Sequence, residues 1–266
     1  MTSLPHSQGV PPPRPATAVQ RELRAVTSTS AQALRPSPLR RLLDIVVAGA
    51  LLLLAAPVIG VAALLVRVLD GAPVMFRQQR LGEGGRPFGL LKLRTMRPGS
   101  AGPEVTATDD LRVTGVGRIL RRTCVDELPQ LWHVLRGQMT LVGPRPETVD
   151  LARRYPASCR QVLDVRPGLT GPTQLAYRER SAVPPPGWDV ESWYLEVLVP
   201  LRTDADMEFL ARPSLSRTVV YLLRTVAFVC GLRDYERHPT GQPPNQVRNT
   251  PCSTVESTSV GLAEDW

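Results

Sequence analysis

One stretch of the chain carries no charge and almost no polarity. Residues 45–66 run about 22 positions without an Asp, Glu, Lys or Arg. As a helix this segment rises about 33 Å, enough to cross a hydrocarbon core. Pro57 falls near its middle, where a proline removes a backbone hydrogen bond and kinks the helix. Arginines flank both sides, with Arg35, Arg40 and Arg41 before the segment and Arg67, Arg77 and Arg80 after it. Arginine favours the cytoplasmic side of a membrane, so both ends are expected on one face. The pattern predicts a proline-kinked re-entrant membrane helix over residues 39–69, entering and leaving by the same side. A straight span and a buried helix of a soluble domain are the alternatives these residues allow.

Beyond this segment the period changes. Residues 74–79 and 87–95 read as short strands around the turn Gly82-Glu83-Gly84-Gly85. Residues 117–122 and 127–136 read as helices joined at 123–126. A rigid loop over 142–146 leads into a helix at 147–155. The run Pro184-Pro185-Pro186-Gly187 marks a surface loop ahead of a helix near 190–198. Residues 215–229 are apolar on most sides, with Arg217 and Arg224 on one edge, and suit either a core position or a membrane surface. The ends lack hydrophobic periodicity: 1–38 is rich in Pro, Ser, Thr and Ala, and 232–266 in Thr, Ser and Pro. Both are expected to be disordered tails, and nothing near Met1 reads as a signal peptide. The expected fold is α+β: a small mixed domain over 70–231, with short strands and several helices, anchored by the N-terminal membrane helix.

Composition adds charge to this picture. A net charge of +8 and a pI near 10.0 favour anionic partners such as phospholipid headgroups, nucleic acid or phosphorylated substrates. Nearly all the basic residues are arginine, and Lys92 is the sole lysine. Cys124, Cys159, Cys230 and Cys252 show no metal-ligand or disulfide spacing, which suits a reducing compartment. His6, His133 and His238 are too dispersed for a local metal cluster. Gly115-Val116-Gly117 and the turn at Gly82 fit neither a dinucleotide nor a P-loop fingerprint. No nucleic-acid reader motif or aromatic-interleaved basic patch accompanies the charge, so nucleic acid is not an expected partner.

Four segments hold candidate chemistry. Asp126-Glu127 follows an arginine-rich helix end (Arg118, Arg121, Arg122). Carboxylates at a helix start are kept ionised by the helix dipole, and an ionised carboxylate facing cations can attack phosphorus while its neighbour holds a divalent metal. Thr123-x-x-Asp126 equally matches a helix capping box. Pro144-Arg145-Pro146 fixes an arginine whose planar fork matches phosphate oxygens, or is a surface turn. Lys92-Leu93-Arg94 sets two cations on one strand face, suited to a diphosphate or to solvent. Arg166-Pro167-Gly168 opens a constrained basic loop that suits a phosphate clamp or a plain turn.

Taken in order, these motifs resemble the bacterial sugar transferase family, the monotopic polyprenyl-phosphate phosphoglycosyl transferases. The likeness starts at Arg41-Leu42-Leu43-Asp44 and the apolar run, and continues through Phe88-Gly89-Leu90-Leu91-Lys92-Leu93-Arg94-Thr95-Met96. It is densest from Thr114 to Trp132, and closes on Leu141-Val142-Gly143-Pro144-Arg145-Pro146-Glu147 and Val165-Arg166-Pro167-Gly168-Leu169-Thr170-Gly171.

The resemblance implies an enzyme of the cell membrane with its catalytic domain on the cytoplasmic face and a possible homo-oligomer. It implies transfer of a sugar-1-phosphate from a UDP-sugar to polyprenyl (undecaprenyl) phosphate. Asp126 would be the nucleophile, Glu127 the ligand of a Mg²⁺ cofactor, and Lys92, Arg94, Arg121, Arg145 and Arg166 the phosphate-binding cations. Pro57 would break the membrane helix. Three positions depart from the family pattern: Cys124 for a usual serine, His133 for a common asparagine, and Gln138 for a common acid. None is the proposed nucleophile or metal ligand, so they bear on substrate detail. A non-catalytic membrane scaffold is the contrasting expectation.

Overall fold

The computed structural model describes residues 37–230, apart from 101, 103, 106–109, 178–183, 185, 186 and 213. The two expected tails lie outside the described residues, save Ser37 and Pro38, which begin the first helix. Most of the loop expected at 184–187 lies outside them too.

Ser37 caps helix α1 (Pro38–Leu65) by accepting from the Arg40 N–H at 3.3 Å, and Pro38 stands where a missing N–H costs nothing. The helix continues through Pro57 and ends in a wide π turn, Val66–Asp70. Its buried residues cluster at the two ends: Arg40, Asp44 and Ala48, then Ala62. Between them the apolar side chains are bare, Leu53 at 77% and Leu54 at 73% exposure. Apolar surface on that scale marks a segment that meets a partner or a membrane rather than water.

Both ends of α1 are fastened to the same domain. At the start, Arg40 donates to the Val142 carbonyl, and Arg41 donates to the carbonyls of Val134 and Leu135 at 2.6 and 2.8 Å. Asp44 accepts from Thr140 Oγ1 at 2.6 Å and from the Leu141 N–H at 3.1 Å. At the far end, Ala62 and Val66 pack with Leu93 and Leu120. There Asp70 accepts from Thr114 Oγ1 at 2.7 Å.

Strands β1 (Met75–Leu81) and β2 (Pro87–Leu93) form an antiparallel hairpin, with Met75 opposite Leu93 and Leu81 opposite Pro87. Gly84 and Gly85 take the positive φ that its tight turn requires. Helix α2 (Gly115–Thr123) is capped by Thr114, which accepts from the Gly117 N–H at 2.9 Å. A 3₁₀ segment, Val125–Gln130, leads into the short helix α3 (Leu131–Leu135). Strand β3 (Thr140–Val142) pairs in parallel with β4 (Gly168–Thr170), and α4 (Val149–Arg153) lies between them in sequence. Next come α5 (Pro172–Tyr177), α6 (Val190–Trp193) with a π turn Tyr194–Leu198, α7 (Val199–Ala211) and α8 (Leu215–Val229). Leu151, Tyr155, Cys159, Trp193, Leu198 and Val199 form one buried core.

Two expectations change. The 166–172 segment, read as a loop, contributes strand β4, which pairs with β3; only Val142 of β3 falls in the loop expected at 142–146, and 143–146 form that loop. Strands that short, bounded by Gly and Pro, leave no alternation to read. Helix α8 forms over the expected residues and resolves its own ambiguity. Its Thr218 is buried and Thr225 Oγ1 lies 2.8 Å from Thr170 Oγ1, while Val219, Leu223, Val226 and Val229 remain exposed.

Candidate active site

The acidic pair owes its position to one backbone reversal. Helix α2 ends at Cys124, whose φ of 59° is left-handed, the one such non-glycine residue among those described. A side chain held there costs about 1–2 kcal/mol. The reversal starts the 3₁₀ segment, with the Glu127 N–H donating to the Cys124 carbonyl at 3.1 Å, so Asp126 and Glu127 share its first turn. Asp126 is buried and Glu127 partly exposed. Thr123 is no cap: it belongs to α2 and its hydroxyl donates back to Ile119 O at 2.9 Å. The capping-box reading therefore does not hold.

Cations gather on this pair from three elements. Lys92, near the end of β2, is half-buried, its ammonium 5.2 Å from the ring centre of Phe76 on the facing strand. Burial brings its pKa down to about 8; Arg121 and Arg80 push the same way, and Asp126 and Glu127 oppose them. Arg121 on α2 donates through Nε to Thr95 Oγ1 at 2.8 Å; burial lowers its pKa while Asp126 draws it back up. Arg145 reaches Glu127 with Nη2 at 3.1 Å, and that carboxylate raises its pKa.

The loop that carries Arg145 is held from below. Arg80 donates to the Pro146 carbonyl at 3.1 Å and to Glu147 at 3.3 Å. Glu147 is buried and accepts in addition from the Thr148 N–H at 2.9 Å, Tyr155 Oη at 2.9 Å and Tyr194 Oη. Arg202 donates to Tyr194 Oη at 2.8 Å. Sequence reading missed Arg80 and Glu147 as site neighbours, and Tyr194 and Arg202 altogether. Tyr194 and Arg202 stand eight residues apart, two helical turns, which is the one signal that could have joined them.

Asp126, Glu127, Lys92, Arg94, Arg121 and Arg145 all line a single cleft of about 2270 Å³. That volume exceeds the 300–1,000 Å³ of an ordinary small-molecule pocket and leaves room for two substrates. Arg94 is buried just past β2 rather than sharing a strand face with Lys92. Its Nη2 donates to the carbonyls of Asp70 and Gly71 at 2.7 and 2.8 Å, while its Nε and Nη1 are buried with no hydrogen-bond partner. Arg166 stands apart from the cleft, bound to Glu83 at 2.7 Å. Pro57 lies on the exposed stretch of α1.

The two departures His133 and Gln138 meet each other. The Leu91 N–H donates to His133 Nε2 at 3.0 Å, which requires the proton on Nδ1, 2.8 Å from Gln138 Oε1. Burial, the larger influence, lowers the pKa of this imidazole. The histidine and the glutamine thus meet in one hydrogen bond.

The pair of carboxylates also suits Mg²⁺. This ion takes one or two carboxylates together with substrate phosphates and keeps several waters. Among the described residues there is no group of three or more His, Cys, Asp or Glu that could hold a metal ion.

An acidic pair ringed by cations, in a large cleft beside a membrane-length apolar helix, is the layout of an enzyme for phosphorylated substrates. The chain belongs to the bacterial sugar transferases, whose family profile matches residues 35–231. It is 42% identical over 192 residues to the UDP-glucose:undecaprenyl-phosphate glucose-1-phosphate transferase of Caulobacter vibrioides, covering 70% of this chain and 68% of that protein. The Escherichia coli K12 protein of the same name is 39% identical over 181 residues, 65% of this chain and 36% of the relative. A UDP-N-acetylgalactosamine-undecaprenyl-phosphate N-acetylgalactosaminephosphotransferase of Aeromonas hydrophila is 38% identical over 154 residues, 54% and 36%. The chain thus spans little more than a third of the last two.

Proposed function

We propose that this protein transfers a sugar-1-phosphate from a UDP-sugar to polyprenyl phosphate, with Asp126 as the covalent nucleophile. A carboxylate oxygen of Asp126 attacks the sugar-bearing phosphorus, the bond to the bridging oxygen breaks, and UMP leaves with that oxygen. A phosphate oxygen of the lipid then attacks the same phosphorus, frees the Asp126 carboxylate and yields the polyprenyl diphosphate sugar. Mg²⁺ held by Glu127 would supply charge neutralisation across the diphosphate.

The observation that carries this reading is the convergence of Asp126 and Glu127 with Lys92, Arg121 and Arg145 in one cleft of a sugar transferase. Each cation opposes charge that develops on phosphate oxygens during the attack. The buried, unpartnered Nε and Nη1 of Arg94 are further donors awaiting an anion. Arg166, engaged by Glu83 outside the cleft, binds no phosphate in this reading.

The re-entrant arrangement of 39–69 is proposed on the attachment of α1 at both ends. Arg40, Arg41 and Asp44 at its start and Ala62 and Val66 at its far end all grip the domain over 70–231. In this reading the tethered helix would return to the face it left, with Pro57 as its break and the catalytic domain on the cytoplasmic side where its arginines are favoured. The acidic pair then lies at headgroup level, where a lipid phosphate is met.

The test is UMP release by the detergent-solubilised protein across a panel of UDP-sugars, with polyprenyl phosphate and Mg²⁺. Release from one donor supports the reaction and identifies the sugar. Folded protein that releases UMP from none of them would overturn it.

A further inference from the structure

Arg145 lines the large cleft, and with Pro144 and Pro146 it also lines a separate cavity of about 30 Å³. Packing around the Pro-Arg-Pro loop is therefore incomplete, and a gap forfeits the contacts that would otherwise fix its position. Hydrogen bonds hold the loop instead. The Pro144 carbonyl accepts from the Gly168 N–H at 2.7 Å, and the Pro146 carbonyl from Arg80 at 3.1 Å. Arg145 stands between these two anchors, directly ahead of Glu147.

Glu147 gathers four donors on its two oxygens. Oε1 accepts from Arg80 and the Thr148 N–H, and Oε2 from Tyr155 and Tyr194. Three of these donors lie near the loop in sequence or on the hairpin beside it, whereas Tyr194 comes from 47 residues further on. Arginine can only donate, so the Tyr194 oxygen accepts from Arg202 at 2.8 Å and turns its own proton to Glu147. Eight residues of plain α-helix would leave Tyr194 and Arg202 about 80° out of line. The π turn Tyr194–Leu198 adds a residue to one turn and offsets most of that angle. Such turns are rare within α-helices and gather at functional sites.

We propose that Tyr194 and Arg202 are positioning residues: through Glu147 they hold the Pro-Arg-Pro loop so that Arg145 meets the phosphates of the nucleotide sugar. The proposal rests on the UDP-sugar reading above. Both residues also line the cleft, so direct contact with the substrate is the contrasting role. A residue that acts through Arg145 has nothing left to act on once Arg145 is removed. One that touches the substrate keeps its effect.

The experiment is a double-mutant cycle in the full chain, read by binding of UDP with Mg²⁺ and by kcat/KM for the UDP-sugar. Tyr194→Phe deletes only the hydroxyl and should weaken UDP binding and lower kcat/KM by about tenfold each. In an Arg145→Ala background the same change should alter both by less than about twofold. Arg202→Met, which keeps the stem and removes the donor, should follow the same pattern. Arg202→Lys restores a donor and should recover most of the loss. A full effect of Tyr194→Phe in the absence of Arg145 would overturn the proposal, as would UDP binding and kcat/KM that Tyr194→Phe leaves unchanged. Coupling in UDP binding by a protein that releases no UMP keeps the positioning role and removes the reaction, so the two failures are distinct. Should Tyr194→Phe fail to fold, Arg202→Met carries the cycle alone.

Discussion

Arg145 Nη2 lies 3.1 Å from Glu127 Oε1, so the rigid Pro-Arg-Pro loop and the 3₁₀ segment meet at a single ion pair. The arginine side chain is 39% exposed, and an exposed pair of this kind adds less than about 1 kcal/mol to stability. Glu127→Gln should therefore fold with a Tm close to that of the native protein. Turnover should fall by about 10²-fold or more, with the Mg²⁺ requirement shifted to higher concentration. Coincident Mg²⁺ titration curves for the two proteins would remove Glu127 as a ligand.

Lys92 should impose a pH limit. With its pKa near 8, it loses its charge as pH rises through that value, so kcat/KM for the nucleotide sugar should decline above about pH 8. Lys92→Arg keeps the charge and should flatten the profile. Stability should move the other way. The unfolded lysine, at 10.5, binds its proton more readily than the folded one, so folding gains as pH rises between about 8 and 10.5. A wild-type profile flat across this window would exclude the role.

His133 makes stability sensitive to acid. Its folded pKa is lowered from 6.5, so the unfolded chain takes the proton first as pH falls through that value. The neutral ring's contribution is present above about pH 6.5 and lost below it, as the Leu91 N–H loses its acceptor. Tm measured from pH 8 to 5 should drop more steeply in the native protein than in His133→Asn, which does not titrate.

Gly117 sets the distance between α2 and β2. A Cβ there would lie 2.1 Å from the Thr95 carbonyl oxygen, whereas one on Gly115 would meet nothing within 4 Å. Gly117→Ala should cost about 1–3 kcal/mol and lower Tm by several degrees. It should also reduce turnover, because Arg121 is held through the same Thr95. Gly115→Ala should be close to neutral in both measurements.

Much of this arrangement is legible in the sequence. The uncharged run gave α1, the alternating segments gave the hairpin, and ordered motifs around Asp126-Glu127 gave the family. What escaped depends on contacts distant in sequence. Arg94 looked like a strand-face partner of Lys92, but it turns inward to the carbonyls of Asp70 and Gly71, a pairing that period two does not encode. Glu147 looked like a helix start, yet its burial beneath Arg80, Tyr155 and Tyr194 arises only when three segments meet. Thr123 illustrates the opposite error, since a correct local capping pattern was overruled by the left-handed turn at Cys124.

The central claim is that Asp126 takes the sugar phosphate before the lipid does. The most direct measurement is incorporation of labelled UMP into UDP-sugar by the purified enzyme, with Mg²⁺ and without polyprenyl phosphate. A covalent intermediate predicts steady exchange by the native protein and none by Asp126→Asn, a nearly isosteric change that keeps the fold. Native protein that transfers sugar phosphate to the lipid but shows no exchange in its absence would contradict the account.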